Sequence, residues 1–421
     1  MQPEQQREAV IVGGGIAGLT LALCLHERGV RCQVYESAPE LRPLGVGISL
    51  LPHGTQVLAG LGLLGEVQRR AVAFRESCFF NRFGQLIHRD PAPEDWRQFL
   101  IHRGDLHELL VDAVRQRLGA EALVLGHTCT GVEQDADGAT AQFADTVSGA
   151  ALPERRADAV IGCDGIHSRV RRAFYPDEGE PVFSGVNMWR GVTRRQPFLS
   201  GGSHCRVGTV DPGKMVVYPI RDDVDEAGNQ LVNWVAEIRD PHRGEVDWSA
   251  PGRIADFIEP FASWRFEWLD VAQLIEDADV VYEYPMSDRD PVDRWAFERV
   301  ALAGDAAHPM IPRGSNGAMQ AIVDARVLAD ALAGGTPITD ALRAYEDERL
   351  ERVNAIVLRN RTQPPDFLIE EVARLTGDRP FERLEDVIGA DEMQELLDGY
   401  KRVAGYSGAA LDAAARRGPA A

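Results

Sequence analysis

The first apolar segments of the chain alternate between strand-like and helix-like patterns. Residues 9–12 form a short apolar run that suits a strand buried on both faces, and residues 32–35 form a second. Between them, residues 16–28 place Leu19, Leu23 and His26 on one side at helical spacing, and Gly29 suits the end of that helix. This order predicts a strand, a tight turn, a helix and a strand. Further helices are predicted over 55–61, 105–118, 317–332 and 338–361.

The middle of the chain carries a different pattern. Strand-like runs at 215–220 and 231–236 flank a polar stretch and are predicted to form a hairpin. Five of the seven tryptophans lie between 189 and 268, which predicts the core of a second, sheet-rich domain. After Pro364 and Pro365, we expect short amphipathic helices and a frayed, alanine-rich tail over 407–421.

Composition and charge narrow the class of protein. The 421 residues include 45 Lys and Arg against 65 Asp and Glu, a formal net charge of −20, which argues against nucleic acid or an anionic membrane as a partner. The apolar run at 9–25 lacks a basic flank and contains four glycines, so it predicts neither a signal peptide nor a membrane span. Six scattered cysteines without a CxxC pair favour reduced thiols in the cytoplasm.

The strongest motif is glycine-rich and lies between the first strand and the first helix. Gly13, Gly15 and Gly18 suit a tight turn, close approach of a pyrophosphate and close helix packing. Glu36 ends the second strand, where its carboxylate would accept hydrogen bonds from a ribose diol. Three backbone amides are predicted to point at the phosphates, namely those of Gly15, Ile16 and Ala17. The site is predicted to bind the ADP half of FAD or NAD, the alternative being a structural turn without a ligand.

Two later strand ends carry an aspartate beside a glycine. Asp164 follows the apolar run at 160–162, and Asp305 follows the run at 300–303, where it would bond sugar or ribitol hydroxyls. Pro312 stiffens the next loop, and Asn316 with Gly317 begins a helix whose positive end would stabilise a reduced, anionic flavin. The arginines at 169, 171 and 172 either bind nicotinamide nucleotide phosphates or form a solvated helix face.

These three segments together resemble the GxGxxG, DG and GD motifs of the class A, single-component FAD-dependent aromatic monooxygenases, which are related to p-hydroxybenzoate hydroxylase. The resemblance covers roughly residues 7–362. Further matches at 42–48, 102–106, 188–192 and 284–291 are most similar to the phenazine hydroxylase branch. The chain departs from the common family form at Ser315-Asn316-Gly317, where Gly-Gln-Gly is usual, and at Met319, where Asn is usual.

The resemblance implies an α/β fold (α+β overall). A Rossmann-like FAD/NAD(P)-binding domain would be interleaved with a sheet-rich substrate domain and followed by C-terminal helices. The expected division assigns residues 1–75, 101–178 and 290–362 to the FAD-binding domain and residues 76–100 and 179–289 to the substrate domain. Residues 363–421 would form a helical extension.

The resemblance also implies the chemistry. NADH or NADPH would reduce a non-covalent FAD, and O₂ would form a C4a-hydroperoxyflavin that hydroxylates, and in some cases decarboxylates, a small aromatic or heteroaromatic molecule. No metal is required, and a monomer or homodimer is expected. The residues implied at the cofactor, besides those of the glycine-rich turn, are Arg42, Val46, Gly47, Arg103, Asp164, Asp305, Pro312, Asn316 and Gly317.

Candidate substrate-pocket residues are Ser49, Arg190 and Tyr218. Each has a structural alternative: a turn serine, an arginine in a salt bridge and a core tyrosine. His308 is expected to serve loop structure rather than catalysis. Two alternative functions stay open, an epoxidase or other FAD oxidoreductase and a non-catalytic flavin-binding sensor. The absence of WxWxIP and CxxxxC motifs disfavours a halogenase and a disulfide reductase.

Overall fold

The computed structural model describes residues 7–41, 45–93, 97–240 and 251–405. Predictions made for Arg42, for Trp248 and for the tail at 407–421 lie outside these residues.

The strands of the described residues fall into four sheets. In chain order they are β1 (Glu8–Val12), β2 (Arg31–Tyr35), β3 (Gly47–Leu50), β4 (Val72–Ala73), β5 (Glu76–Phe80), β6 (Leu86–Pro91), β7 (Phe99–His102), β8 (Leu123–Val124), β9 (His127–Gln134), β10 (Ala139–Asp145), β11 (Ala151–Ala157), β12 (Ala159–Gly162), β13 (Val182–Arg195), β14 (Ser203–Thr209), β15 (Gly213–Arg221), β16 (Gln230–Arg239), β17 (Val281–Asp288), β18 (Ala296–Phe297) and β19 (Val300–Leu302).

The predicted helices are confirmed, with ends that shift by up to three residues. In chain order the helices are α1 (Ile16–Glu27), α2 (Pro52–Gly60), α3 (Leu64–Arg70), α4 (Arg103–Leu118), α5 (Arg169–Phe174), α6 (Val271–Glu276), α7 (Gly317–Ala333), α8 (Ile338–Thr362), α9 (Phe367–Thr376) and α10 (Ala390–Ala404). A 3-10 turn over Gly304–Ala306 follows β19. The longest helices begin where the sequence pattern places them because their apolar positions repeat at helical spacing.

A six-stranded sheet carries the predicted βαβ unit. Its order is β18-β19-β12-β1-β2-β8, and every pair except β18-β19 is parallel. Val10, Val160 and Val300 lie side by side across its three central strands, and all are buried. Helix α1 packs against α4 and α7 in the same hydrophobic core. This arrangement confirms the predicted Rossmann-like part of the fold.

A second sheet of seven strands has the order β17-β13-β16-β15-β14-β5-β6. Strands β15 and β16 pair antiparallel, as the hairpin prediction requires. Trp189, Trp234 and Trp264 are buried in the core on one face of this sheet. The opposite face carries a polar cavity, described below.

A small sheet, β3-β7-β4, connects the two large sheets. Leu100 of β7 packs with Tyr218 and Ile220 of β15 in one apolar cluster. The chain segment that holds Val46 and Gly47 is therefore fixed against the seven-stranded sheet.

Candidate active site

The three predicted motifs lie at one edge of the six-stranded sheet. The glycine-rich turn follows β1, Asp164 follows β12, and Asp305 follows β19, and these are three adjacent parallel strands. Because parallel strands end at the same edge, the motifs converge where open α/β sheets bind their ligands. A Cβ at Gly304 would lie 2.9 Å from the Cβ of Ala17, so the first and third motifs are in contact.

The glycines of the first turn have three different environments. Gly13 has φ of +108°, and a Cβ there would overlap the carbonyl of Cys163. A Cβ at Gly18 would overlap the carbonyl oxygen of Gly13, so this glycine permits close packing of α1 on the turn. A Cβ at Gly15 would meet no atom of the described chain within 4 Å. The second glycine thus borders open space at the N-terminus of α1, as a bound pyrophosphate requires.

Glu36 lies beside this turn. One of its carboxylate oxygens accepts a 2.7 Å hydrogen bond from the amide of Gly14, and the other accepts from the amide of Ala38. These two bonds fix the carboxylate against the turn.

Asp164 has a structural task that the sequence did not reveal. Its side chain accepts hydrogen bonds from the Ser168 hydroxyl and from the amides of Arg169 and Val170, at 2.5, 2.7 and 3.2 Å, so it holds the first turn of α5.

The neighbouring Arg171 is neither a phosphate ligand nor part of a solvated face. Its side chain is buried, pairs with Glu178 and donates to the carbonyls of Ala306 and Ala307. Through these two bonds it supports the turn that contains Asp305.

Arg103 and Asp305 are close enough for their charges to interact. Both residues are exposed to solvent. The surrounding protein nevertheless removes much of their hydration, which lowers the pKa of the Arg103 guanidinium and raises the pKa of the Asp305 carboxyl. Each charge partly counters the shift of the other. Charged side chains that are open to solvent but poorly hydrated are typical of the lining of a ligand site.

His308 is structural, as expected. It is buried, and its Nε2 lies 2.5 Å from Asp324, whose other oxygen accepts a 2.8 Å bond from Arg349. Asp324 also accepts from the amide of Gly304. This buried group of charges holds the turn over Gly304–Ala306 against α7.

Val46 and Gly47 connect the two large sheets. The carbonyl of Val46 accepts from the Arg103 amide at 2.8 Å, and the amide of Gly47 donates to Asn233 at 2.6 Å. Arg190 donates to the carbonyl of Gly47 at 3.0 Å. A Cβ at Gly47 would lie 2.8 Å from the Cβ of Asn233, so only glycine allows this approach.

The loop before α7 forms the facing wall. Pro312, Gly314 and Ser315 line a cavity, and Asn316 precedes the first residue of α7, Gly317. A Cβ at Gly317 would lie 3.8 Å from an oxygen of Asp305, so the N-terminus of α7 is close to the third motif.

A cavity lies between this loop and the seven-stranded sheet. The described residues that line it are Met188, Arg190, His204, Arg206, Lys214, Val216, Tyr218, Val235, Glu237, Pro312, Arg313, Gly314, Ser315 and Asp366.

The structure brings two of the three candidate pocket residues to this cavity. Arg190 and Tyr218 line it, and the Tyr218 ring stacks on the ring of His204 with centroids 4.7 Å apart. Ser49 lies elsewhere: it is buried, and its hydroxyl accepts a 3.1 Å bond from Gln98. Ser49 lies two residues from Gly47 on β3, but its hydroxyl is bonded to Gln98 and it does not line the cavity.

Sequence reasoning missed most of the polar lining. His204 and Arg206 alternate along β14 with the core residues Cys205 and Val207. Lys214 alternates in the same way along β15. The signal was therefore present as a period of two, with polar or aromatic residues on one face and apolar residues on the other.

The residues at the strand edge fit FAD: Gly15 borders open space at the N-terminus of α1, and the interacting, solvent-exposed charges of Arg103 and Asp305 are suited to its polar groups. In the described residues there is no group of three or more His, Cys, Asp or Glu side chains that would hold a metal ion. Nor is any described helix long and apolar enough to cross a membrane.

Comparisons with known proteins agree with this geometry. The family model described as "FAD binding domain" matches residues 6–360. Phenazine 1,6-dicarboxylic acid hydroxylase PhzS of Lysobacter antibioticus is 38% identical, over 86% of this chain and 91% of the relative. The 3-amino-4-hydroxybenzoate 2-monooxygenase PtnB3 of Streptomyces platensis is 36% identical, over 95% of this chain and 96% of the relative.

Solved structures share the fold. The crystal structure of Klebsiella pneumoniae HpxO with FAD and uric acid superposes with a TM-score of 0.73 at 24% identity, covering 97% of this chain and 95% of that chain. The matches in sequence and fold extend over both large sheets. The chain belongs to the FAD-binding domain family, and within it to the FAD-dependent aromatic monooxygenases.

Proposed function

We propose that this monooxygenase hydroxylates an aromatic or heteroaromatic ring that bears a carboxylate, and that the carboxylate binds to Arg206 with help from Arg190. The observation that carries the proposal is the charge balance of the cavity. Arg190, Arg206, Lys214 and Arg313 line it, against two carboxylates, Glu237 and Asp366. The cavity therefore has an excess of positive charge inside a protein of net charge −20.

The cavity cations divide into two pairs. Lys214 is buried and bonded to Glu237 and Asp366, and Arg313 lies 3.8 Å from Glu237. Neither Arg190 nor Arg206 has a carboxylate within 4 Å in the described part of the chain.

Each member of the second pair has another neighbour. Arg206 donates to the Ser77 hydroxyl at 2.8 Å, and its guanidinium lies over the ring of Phe79. Arg190 donates to the Gly47 carbonyl. A substrate carboxylate would supply the missing counter-charge, and a bidentate guanidinium contact would also orient the ring.

His204 and Tyr218 would contact the ring itself. Burial, followed by the charge of Arg206, lowers the pKa of His204 well below its usual range, so its imidazole is neutral. Burial raises the pKa of Tyr218, so its phenol keeps its proton. We assign His204 as a hydrogen-bond acceptor and Tyr218 as a donor for polar groups on the ring.

FAD, when bound, supplies the redox chemistry, with NADH or NADPH as the source of electrons and O₂ as the source of the oxygen atom. The chain itself positions the reactants. Arg103, Asp305 and the N-termini of α1 and α7 would hold the cofactor, and Gly47 would let it approach the cavity. The loop at 312–316 would keep water out of the space between cofactor and ring.

The names of the two relatives support a carboxylated substrate. One is named for a phenazine dicarboxylic acid and the other for an aminohydroxybenzoate. A panel of phenazine carboxylates, salicylates, hydroxynicotinates and hydroxyquinolines is therefore the first test, with NADH or NADPH oxidation and product mass as readouts. The gain of one oxygen atom on a carboxylated member is expected. Turnover confined to members without a carboxylate would contradict the proposal.

The role of Arg206 is tested with Arg206→Met and a matched pair of substrates, the acid and its primary amide. Loss of a charge-assisted hydrogen bond worth about 1.5–3 kcal/mol predicts a fall in kcat/KM for the acid of roughly 10- to 150-fold. The amide should change little. Arg69→Met is the control, because that arginine lies on the surface in an exposed pair with Glu66. An equal loss for acid and amide would exclude a carboxylate contact.

Other expectations remain proposals. We propose the division into FAD-binding and substrate domains given above, a cytoplasmic location and a monomer or homodimer. The six free cysteines support a reducing compartment. Size-exclusion chromatography with light scattering tests the oligomeric state.

A further inference from the structure

The C-terminal segment is packed against the substrate-side sheet. Leu368, Ile369 and Val372 of α9 and Leu397 of α10 form a cluster with Phe79 and Ile87 from strands β5 and β6. Ion pairs add to it: Asp366 bonds Lys214, and Lys401 of α10 bonds Asp90. Residues 366–404 are therefore an integral part of the fold, and they end beside the loop that leads into α7.

Tyr400 of α10 is the point of contact with that loop. It is 1% exposed. Its hydroxyl accepts a 2.9 Å hydrogen bond from the Asn316 side chain and donates one of 2.7 Å to Asn360 of α8. Gly314 has φ of +82°, and a Cβ at this position would overlap the Tyr400 hydroxyl. The phenol thus lies directly against the loop backbone.

Asn316 occupies the N-cap position of α7 but does not cap the helix with its side chain. Asparagine is among the best capping residues, because its side-chain oxygen accepts from an amide of the first turn. Here that oxygen accepts a 3.1 Å bond from the Gln320 side chain, and the side-chain nitrogen donates to Tyr400 and, at 3.1 Å, to the carbonyl of Gly314. The Asn316 backbone is also helical, with φ of −91° and ψ of −30°, rather than extended as in a residue that caps with its side chain. Three neighbours therefore fix the Asn316 amide at the start of α7.

We propose that Tyr400 is a positioning residue of the flavin site: together with Gly314 and Gln320 it fixes Asn316 at the N-terminus of α7 and so keeps that positive helix end directed at the cofactor. This inference rests on the proposed placement of FAD beside residues 312–317. It also gives the C-terminal extension a function, because α10 supplies the group that sets the loop. Without the phenol hydroxyl, Asn316 keeps its bonds to Gln320 and Gly314 but loses its tie to α10, so the start of α7 is held less firmly toward the flavin.

The test compares Tyr400→Phe with Tyr345→Phe. Tyr345 is the matched control because it is equally buried and its hydroxyl also donates one hydrogen bond, to the carbonyl of Leu302 at 3.0 Å. Two quantities are measured on the reconstituted holoenzyme without aromatic substrate: the Kd of FAD, and the equilibrium between the flavin and a reference redox dye. Neither depends on substrate, so failure of the carboxylate proposal would leave this test unaffected.

Tyr400→Phe should weaken FAD binding about two- to fivefold and shift the dye equilibrium by a similar factor toward oxidised flavin. These factors correspond to losing the stabilisation that a helix N-terminus gives to a neighbouring anion. Tyr345→Phe should leave both quantities within twofold of the wild type. If the two variants behave alike in both measurements, the proposal is overturned.

A double-mutant cycle with Asn316→Ala separates positioning from general stability. Once the Asn316 side chain is absent, the phenol has no bond to the start of α7, so adding Tyr400→Phe should cause no further shift of the dye equilibrium. Additive shifts would overturn the proposal. Asn360→Ala, which removes the acceptor of the phenol from outside the loop, is the second single variant and should shift the equilibrium in the same direction as Tyr400→Phe. The opposite direction or no shift would count against the proposal.

Discussion

Replacing Gly15 with alanine separates the folding of the glycine-rich turn from its proposed contact with the FAD pyrophosphate. Gly15 has φ of −78° and ψ of −172°, an extended conformation open to any residue, and the added methyl group would meet no described protein atom within 4 Å. The free energy of unfolding of the apoprotein should therefore change by less than about 1 kcal/mol, since a cap preference and a loss of chain entropy oppose each other.

FAD binding should respond quite differently. The methyl group would stand where the phosphates approach the backbone, and overpacking of this kind costs about 1–3 kcal/mol. The Kd of FAD should therefore rise roughly 5- to 150-fold. Titration of apoprotein with FAD, followed by quenching of flavin fluorescence, measures the Kd, and urea unfolding of the apoprotein measures stability.

Gly389 provides a matched control. It is also an N-cap glycine, with φ of −73° and ψ of 148°, and a Cβ there would likewise meet nothing within 4 Å of the described chain. Gly389→Ala should leave the Kd of FAD unchanged. The reasoning is refuted if Gly15→Ala binds FAD within twofold of the wild type, or if its apoprotein is destabilised as strongly as its affinity is reduced.

Three further substitutions test the supports of the site. Gly47→Ala should lower the free energy of unfolding by about 1–3 kcal/mol in urea, because its Cβ would lie 2.7–2.8 Å from two neighbouring side chains; a neutral result would show that β3 moves freely. Burial raises the pKa of Asp324, but His308 and Arg349 outweigh it and bring that pKa from 3.8 to about 2. This lowered pKa contributes about 2 kcal/mol to the free energy of unfolding; the contribution is fully present above pH 4 and is lost as the pH falls toward 2. In a plot of unfolding free energy against pH, Asp324→Asn should therefore lose less stability between pH 4 and pH 2 than the wild type does. Arg171→Met leaves two carbonyls without their donor and Glu178 with only Arg289 as its partner in the described chain, and it should lower the free energy of unfolding by about 1–3 kcal/mol in chemical denaturation, whereas loss of a solvated arginine would change it very little.

The first βαβ unit could be predicted because its signals are local. The apolar run of β1, the three glycines and Glu36 at the end of β2 lie within thirty residues, and each has its own steric or hydrogen-bonding reason. The later motifs were placed correctly for a related reason. Each follows a short apolar run, and parallel strands bring the ends of such runs to one edge.

The cavity could be predicted only in part, because it is built by strands distant in sequence. Arg190 and Tyr218 stood out as single residues, but His204 and Arg206 enter the site through the parallel pairing of β14 with β5 and its antiparallel pairing with β15. That register is set by the whole sheet. The environment of Arg171 was predicted wrongly because a run of charged residues is usually solvated. The carboxylate and the two carbonyls that surround this side chain become apparent only in the folded structure.

The central sheet also dictates when this protein can fold during synthesis. Strand β1 is synthesised first. Its neighbour β12 is synthesised about 150 residues later, and β19, on the far side of β12, about 290 residues later. At ordinary elongation rates, roughly 15 to 60 s pass between the first strand and the third. Until β12 has emerged, the glycine-rich turn and its apolar strand have no parallel partner on that side, and β12 in turn lacks its outer partner until β19 is made. Nascent chains arrested before Val300 should therefore remain sensitive to protease and bound by chaperones, and acquire resistance only once β19 has left the ribosome.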